Sequence, residues 1–296
     1  MAFAPAKINW TLEVMGKRDD GYHEIASVMQ TISLADVVTV REAPEPALRI
    51  TGHAAWMGGL AAEDNLAYRA LLALSSALGL PPNAAIVIDK SIPVAAGLGG
   101  GASDAAAVLR ALPLLWQRTI EESEIMRLAS EIGSDVPFFM RCGSAMVSGR
   151  GELVQPLRDA SLKHLVVLPR SGESEKTGVM YARLDPGDFS DGSLSAALAR
   201  RFEHRLAYDG HDCCNAFTRA AGEGDPGVGS ALRAIMERVG THGHLAGAGP
   251  SVFAAFDDEH EAGAAARELE RSGLRAVACR TMTAAEALRL EVGLGD

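Results

Sequence analysis

A cluster of glycines in the first half of the chain has the residue types and spacing of an anion-binding loop. Gly97 and residues 99–101 place four glycines within five positions, and Ser103 and Asp104 then begin an alanine-rich segment with helical periodicity. Glycine lets another group approach the main chain closely, and a helix N-terminus offers free N–H groups and a partial positive charge. A tight turn without a ligand needs fewer glycines. The sequence therefore predicts a phosphate-binding loop here.

Two known types of phosphate loop fit this stretch less well. A P-loop has Gly-Lys-Ser/Thr after its glycines, and no lysine follows here. The spacing Gly97-x-Gly99-x-x-Ala102 matches a loose dinucleotide fingerprint, which requires an acidic residue about 20 positions later at the end of a second strand. Glu121 and Glu122 lie near that distance, but their surroundings indicate the start of a helix. A dinucleotide enzyme is therefore the weaker alternative.

The loop resembles the second motif of the GHMP small-molecule kinases, a family named after galactokinase, homoserine kinase, mevalonate kinase and phosphomevalonate kinase. Residues 4–9 are similar to the first motif of that family, and residues 244–253 are similar to the third. In these kinases the second motif wraps the phosphates of ATP, with Mg²⁺ as the partner of the nucleotide. The resemblance implies that the ATP-binding loop consists of Pro93, Val94, Ala95, Ala96, Gly97, Leu98, Gly99, Gly100, Gly101, Ala102 and Ser103.

Lys7 and Asp135 are the two predicted catalytic residues. Residues 7–14 alternate between polar and apolar, which predicts a half-buried strand with Lys7 and Asn9 on its polar face. The segment Gly-Ser-Asp-Val-Pro around Asp135 predicts a helix N-terminus that this aspartate could cap. Phosphoryl transfer to an alcohol needs an acceptor for the hydroxyl proton and cations near the phosphates. The resemblance assigns these roles to Asp135 and Lys7, whereas the residues alone leave a capping aspartate and an exposed lysine open.

The predicted substrate contacts begin at a turn after the first strand. Asp20 and Gly21 indicate a hairpin, and Tyr22 and His23 follow with an aromatic face and a polar ring edge, which suit a pyrimidine. A packed tyrosine beside a surface histidine is the alternative. This stretch resembles one branch of the family, whose members phosphorylate a hydroxyl of a cytidine diphosphate intermediate in the non-mevalonate isoprenoid route. The resemblance implies substrate contacts at Asn9, Tyr22, His23, Thr177 and Tyr181, and adenine contacts at Asn65 and Lys90.

Three places depart from the family pattern. Ala102 and Ala248 stand where serine is common, so a hydroxyl is absent at each position. Residues 213–218 align with a stretch that usually reads Asn-Asp, then an aromatic residue or leucine, then Glu. Only Asn215 and Phe217 fit that pattern. No site residue is therefore predicted within 213–218.

Length, charge and cysteine usage limit the class of protein. The 296 residues are 48 % hydrophobic, which is enough for two domains with cores. The net charge of -10 argues against nucleic-acid binding through a basic surface. The four cysteines lack zinc spacing and favour a reducing compartment, and no apolar run reaches membrane length. We expect a cytoplasmic enzyme, a monomer or weak homodimer, that binds neither nucleic acid nor membranes and has no dedicated metal ligands.

The element pattern and the resemblance together predict an α+β fold of two domains. Residues 1–155 form a GHMP-type domain with the phosphate loop, and residues 156–296 form a ferredoxin-like domain. A turn at Asp36 is expected between two strands, and a helix that begins at Asp104 is expected to end or kink at Pro113. Two functional alternatives stay open: a GHMP kinase for homoserine, mevalonate or a sugar, and a nucleotide-binding regulator without turnover.

Overall fold

A seven-stranded sheet forms the frame of the N-terminal part of the chain. The computed structural model describes residues 1–52, 62–172 and 176–291, apart from the side chains of Lys176 and Thr177. The strand order is β3-β4-β2-β1-β8, and β5 pairs with both β2 and β6. These strands are β1 (Ala2–Lys17), β2 (His23–Glu42), β3 (Ala47–Gly52), β4 (Ala84–Lys90), β5 (Ser144–Gly149), β6 (Leu153–Pro156) and β8 (Cys214–Asn215).

Strands β1 and β2 form the predicted hairpin. Lys17 pairs with His23, and the turn is closed by the hydrogen bond from Arg18 N to Tyr22 O at 2.7 Å. The predicted turn at Asp36 is wrong, because β2 continues through this residue. The pairing between β1 and β2 shifts register nearby, at a bulge opposite Pro5 and Ala6. The Asp36 side chain is fully buried. An aspartate in this strand is tolerated because its carboxylate has partners inside the protein, as described below.

Helix α2 (Gly100–Leu115) packs along this sheet together with α1 (Leu66–Ala77), α3 (Glu122–Ile132) and α4 (Val136–Arg141). Its alanines are buried and allow a close approach to the strands. The helix begins four residues before the predicted start at Asp104 and continues beyond Pro113. Pro113 is tolerated because it lies in the last turn, where Trp116 N still donates to Leu112 O at 2.9 Å.

A second, antiparallel sheet has the strand order β11-β7-β10-β9. This order, with helices between the strands, is the ferredoxin-like arrangement predicted for the C-terminal part. Its strands are β7 (His164–Leu168), β9 (His244–Leu245), β10 (Val252–Phe256) and β11 (Val277–Arg280). The helices of this part are α5 (Lys176–Ala182), α6 (Ser193–Glu203), α7 (Thr218–Gly224), α8 (Pro226–Val239) and α9 (Glu259–Arg271).

Residues from the C-terminal part also complete the first sheet and its core. Strand β8 pairs in parallel with β1, with Leu12 opposite Asn215. Helix α10 (Ala284–Ala287) contributes Ala287 to the core beneath the first sheet. The α+β fold class is confirmed, while the domain boundary near residue 155 stays a prediction. Across the three described ranges, no helix combines the length and the apolar character needed to cross a bilayer.

Candidate active site

A cavity of about 650 Å³ opens between β1, the turn after it, the loop before α2, and the loop between β9 and β10. The residues that line it are far apart in the chain, so the cavity forms only when the whole chain is folded. The predicted site residues that line it are Lys7, Asn9, Tyr22, His23, Ala95, Gly97, Gly99, Asp135 and Tyr181.

Lys7 is a buried cation at the inner end of this cavity. Its side chain is only 4 % exposed, so the solvent-exposed alternative for this lysine is wrong. Lys7 Nζ donates a hydrogen bond to Asn9 Oδ1 at 2.7 Å, and Asn9 Nδ2 donates to Ser27 Oγ at 2.8 Å. Burial lowers the pKa of Lys7, and the nearby Asp135 carboxylate partly opposes this shift. The ammonium is therefore held in a fixed direction, close to a carboxylate.

Asp135 occupies the N-cap position of α4, with proline in the first turn as predicted. Within the described residues, however, its side chain makes no capping hydrogen bond. The carboxylate instead lines the cavity. Burial raises the pKa of Tyr181 to about 12, with the Asp135 charge adding to the shift, and the same charge partly opposes the lowering of the Lys7 pKa. Asp135 is therefore free to accept a proton from a bound molecule, because the helix does not occupy its oxygens.

The glycine loop lies directly over Lys7. Gly97 and Gly99 have φ values of 77° and 73°, which favour glycine. A Cβ at Gly99 would lie 2.7 Å from the Phe139 ring and 3.1 Å from Lys7 Cγ. The first helical hydrogen bond of α2 runs from Ser103 N to Gly99 O, so the three preceding N–H groups are free of the helix. Ser103 Oγ is buried and has no partner among the described residues. The loop thus carries several donors without helical partners.

The loop between β9 and β10 meets the same lysine from the other side. Gly247 N donates to Asn9 Oδ1 at 3.1 Å. A Cβ at Gly247 would lie 2.9 Å from Lys7 Nζ and 2.7 Å from Gly97 O. Ala248, which replaces a common serine of the family, lines the cavity beside it. The three predicted motifs therefore converge on one ammonium group.

Aromatic rings form the outer end of the cavity. The His23 and Tyr181 rings are stacked, with centroids 4.6 Å apart and planes 16° apart, and Phe217 packs edge-on against Tyr181 at 4.9 Å. The Arg150 guanidinium lies 5.0 Å from the ring centre of Tyr22, which is half exposed. Burial and the charge of Lys17 lower the pKa of His23, which favours the uncharged form of its imidazole. This end offers flat rings and both a donor and an acceptor nitrogen.

Comparison with known proteins agrees with this arrangement. The family model for the GHMP kinases N terminal domain matches residues 65–143, and the model for the GHMP kinases C terminal matches residues 195–275. The 4-diphosphocytidyl-2-C-methyl-D-erythritol kinase of Symbiobacterium thermophilum is 39 % identical over 275 residues, which cover 90 % of this chain and 93 % of that protein. The chain belongs to the GHMP kinase family. The same enzyme of Dehalococcoides mccartyi is 36 % identical and covers 88 % of this chain and 90 % of its own length.

Solved structures of GHMP kinases have the same fold. A crystal structure of 4-(cytidine 5'-diphospho)-2C-methyl-D-erythritol kinase superposes with a TM-score of 0.78 at 31 % identity and covers 94 % of this chain and 98 % of that one. Homoserine kinase from Cytophaga hutchinsonii superposes with a TM-score of 0.67 at 18 % identity, covering 95 % of this chain and 93 % of its own, which supports the fold alone. The predicted kinase class is confirmed, and ATP is the phosphate donor that this family implies.

The predicted adenine contacts Asn65 and Lys90 of this GHMP kinase do not line this cavity. Asn65 caps α1, and its Oδ1 accepts a hydrogen bond from Ala67 N at 2.9 Å. Lys90 is buried below the glycine loop, 6 % exposed. The side chain of Thr177 lies outside the described residues. The adenine contacts of Asn65 and Lys90 and the substrate contact of Thr177 stay predictions.

Lys90 joins two carboxylates underneath the phosphate loop of the kinase. Its Nζ lies 2.5 Å from Asp36 Oδ2 and 2.8 Å from Asp104 Oδ2. Asp36 Oδ1 also accepts hydrogen bonds from Ser91 N at 2.6 Å and Ile92 N at 2.8 Å. This buried group ties the end of β4 to the second turn of α2, and it thereby supports both ends of the loop.

We expect Asp104→Asn to be at least as stable as the unchanged protein at pH 8. Burial raises the pKa of Asp104, the Lys90 ammonium opposes this shift, and the neighbouring Asp36 adds to it. A carboxyl whose pKa is raised on folding stabilises the folded state at low pH and loses this contribution as pH rises. The stability of the unchanged protein relative to the variant should therefore fall as the pH rises from about 4 to about 7. Urea unfolding at several pH values measures the difference, and a constant difference would contradict the expectation.

Lys17, Arg150 and Phe217 are among the cavity residues that sequence reasoning did not predict as site residues. Lys17 pairs with His23 across the hairpin, so its place beside a predicted contact could have been inferred from the Asp-Gly turn. Arg150 reaches Tyr22 because β5 pairs with β2, with Gly149 opposite Ile25. No local pattern indicates that long-range register, and it could not have been read from the sequence.

Proposed function

We propose that this kinase transfers the γ-phosphoryl group of ATP to the 2-hydroxyl of 4-diphosphocytidyl-2-C-methyl-D-erythritol, a step in non-mevalonate isoprenoid precursor synthesis. The observation that carries this proposal is the composition of the cavity. Part of its wall has flat aromatic rings and the His23 imidazole, which suit a pyrimidine, and another part has Lys7 beneath the glycine loop, with Asp135 nearby. The relatives in Symbiobacterium thermophilum and Dehalococcoides mccartyi, which are named as kinases of this compound, support the same substrate.

The reaction assigns one task to each group at the inner end. The acceptor hydroxyl oxygen forms a bond to the γ-phosphorus, the bond between that phosphorus and the β,γ-bridging oxygen breaks, and ADP leaves. The hydroxyl proton moves to the Asp135 carboxylate, which no helix cap occupies within the described structure. Lys7 stabilises the charge on the transferring group, and the backbone of residues 97–103 binds the ATP phosphates.

Mg²⁺ fits this site as a partner of the nucleotide. In the described parts of the chain, no three histidine, cysteine, aspartate or glutamate side chains are arranged to hold a metal ion. Mg²⁺ commonly binds through substrate phosphates and retained waters, and it neutralises their charge. The buried hydroxyl of Ser103, without a partner among the described residues, is the protein oxygen available beside the loop.

The proposal also includes the cellular location of the protein. All four cysteines are free thiols, which supports the predicted cytoplasmic location. The monomer or weak homodimer expected from the sequence stays a prediction.

The first test is ADP release from purified protein with Mg-ATP and alternative acceptors. We expect turnover with 4-diphosphocytidyl-2-C-methyl-D-erythritol and none with homoserine, mevalonate or galactose. Turnover with one of these other acceptors would keep the kinase and contradict the assignment of the aromatic end. ATP binding without use of any acceptor would favour the regulator alternative.

His23→Ala tests the pyrimidine end separately. Loss of its hydrogen bonds to a polar ring edge should raise KM for the cytidine substrate roughly 10-fold or more, because an unpaired buried polar group costs about 1–3 kcal/mol. We expect kcat to change little, since His23 has no task in the proposed phosphoryl transfer. The matched control is His260→Ala on the exposed surface of α9. An unchanged KM in His23→Ala would argue for another acceptor.

A further inference from the structure

Asn215 holds the loop between β9 and β10 from the side opposite to Asn9. Its Nδ2 donates hydrogen bonds to Leu245 O at 3.0 Å and to Gly247 O at 2.8 Å. The N–H of Gly247 donates to Asn9 Oδ1 at 3.1 Å. The backbone of Gly247 is therefore fixed through its carbonyl by one asparagine and through its N–H by the other.

The amide of Asn215 is itself oriented by the chain around it. Asn215 ends the two-residue strand β8, which pairs with β1 at Leu12. Its Oδ1 accepts a hydrogen bond from Phe217 N at 2.9 Å, so both Nδ2 hydrogens face the carbonyls of the loop. Asparagine suits this position because it combines one acceptor with two donors. An aspartate would place a charged oxygen against two carbonyl oxygens.

A displaced Gly247 would disturb the catalytic end directly. Asn9 Oδ1, which receives the Gly247 N–H, also receives the bond from Lys7 Nζ at 2.7 Å. The space around Gly247 is tight, because an added Cβ would meet Gly97 O at 2.7 Å and Lys7 Nζ at 2.9 Å. A small shift of this residue therefore reaches the ammonium group or the phosphate loop.

We propose that Asn215 is a positioning residue for phosphoryl transfer, which keeps Gly247 against Asn9 and so fixes the direction of the Lys7 ammonium. Asn215 does not touch the reacting atoms and acts through Gly247 and Asn9. The inference rests on the proposed phosphoryl transfer beside Lys7. It assigns a role to one of the two residues in 213–218 that keep the family pattern.

The experiment measures kcat and KM for Asn215→Ala, Asn215→Asp, Gly247→Ala and the double variant Asn215→Ala/Gly247→Ala. Both Asn215 variants should lose roughly 10- to 100-fold in kcat, the range expected from a displacement near 1 Å, while KM for the acceptor changes less than about threefold. Because Gly247→Ala already displaces the loop, adding Asn215→Ala should lower kcat by less than about threefold more. The matched control is Asp258→Ala, which removes the N-cap of α9 far from the cavity and should keep the original kcat.

Each outcome supports or overturns the inference. Loss of kcat with non-additive effects in the double variant supports it. Unchanged kcat, or a double variant whose losses multiply, overturns it, because Asn215 would then act independently of Gly247. If Asn215→Ala fails to give a folded circular dichroism spectrum, the isosteric Asn215→Asp decides. Absence of turnover in the unchanged protein would overturn the proposed function together with this inference, whereas full turnover with unaffected Asn215 variants overturns this inference alone.

Discussion

Asp135→Asn should lower kcat at least roughly 10²-fold, the scale of losing a general base, while the melting temperature changes little. The amide keeps the size and polarity of the side chain but cannot take the proton of the acceptor hydroxyl. Stability should be preserved because, within the described residues, the Asp135 carboxylate makes no hydrogen bond that caps α4. Steady-state ADP release and a thermal unfolding scan of the same preparation measure the two quantities.

Asp258→Ala is the comparison variant, which we expect to lose stability and keep its kcat. Asp258 is the N-cap of α9, and its Oδ1 accepts a hydrogen bond from Glu261 N at 2.9 Å. Removing this cap should cost about 1 kcal/mol of stability and leave kcat unchanged. If Asp135→Asn instead lost stability and kept a near-original rate, Asp135 would be a structural residue and the proposed mechanism would lack its proton acceptor.

The elements with strong local signals were the ones that sequence could predict. The glycine loop was recognisable because four glycines before a helix start have few other uses, and the structure shows positive φ values at Gly97 and Gly99. The Asp-Gly hairpin set the pairing of Lys17 with His23. The family resemblance predicted that Lys7, Asp135 and the loop at Gly247 belong to one site. The structure places all three around one cavity.

Features that depend on distant partners were not predictable in the same way. The alternation of β1 indicates a polar face, but it does not show that helix α6 and strand β8 cover that face and bury Thr11 and Glu13. Asp36 is of a residue type common in turns, and it is tolerated inside a strand because Lys90 and the N–H groups of Ser91 and Ile92 satisfy its carboxylate. Asn215 fits the family pattern, but its role could not be read from the sequence, because the loop carbonyls that it binds lie about thirty residues further along the chain.

Lys7→Met should reduce kcat roughly 10²- to 10³-fold, the range found when one group that stabilises transition-state charge is removed. Methionine keeps an apolar stem of similar length against the glycine loop, so the variant should fold. Burial lowers the pKa of Lys7, which means that the folded state disfavours the charged form at neutral pH. Removing the charge should therefore leave the melting temperature unchanged or higher. Lys163→Met is the matched control, because Lys163 is also buried but is paired with Asp257 outside this cavity.

The pH dependence of kcat/KM, which reports groups of the free enzyme, tests the charge of Lys7 apart from the size of its side chain. With the pKa of Lys7 lowered by burial, the ammonium loses its proton at a lower pH than a free lysine, whose pKa is about 10.4. The kcat/KM of the unchanged protein should therefore decline on the alkaline side at a pH below that value. Lys7→Arg should keep its positive charge across this range, so its lower rate should show no such decline. An alkaline decline of the same midpoint in Lys7→Arg would assign that titration to another group and would remove the argument that the Lys7 ammonium acts on the transferring phosphoryl group.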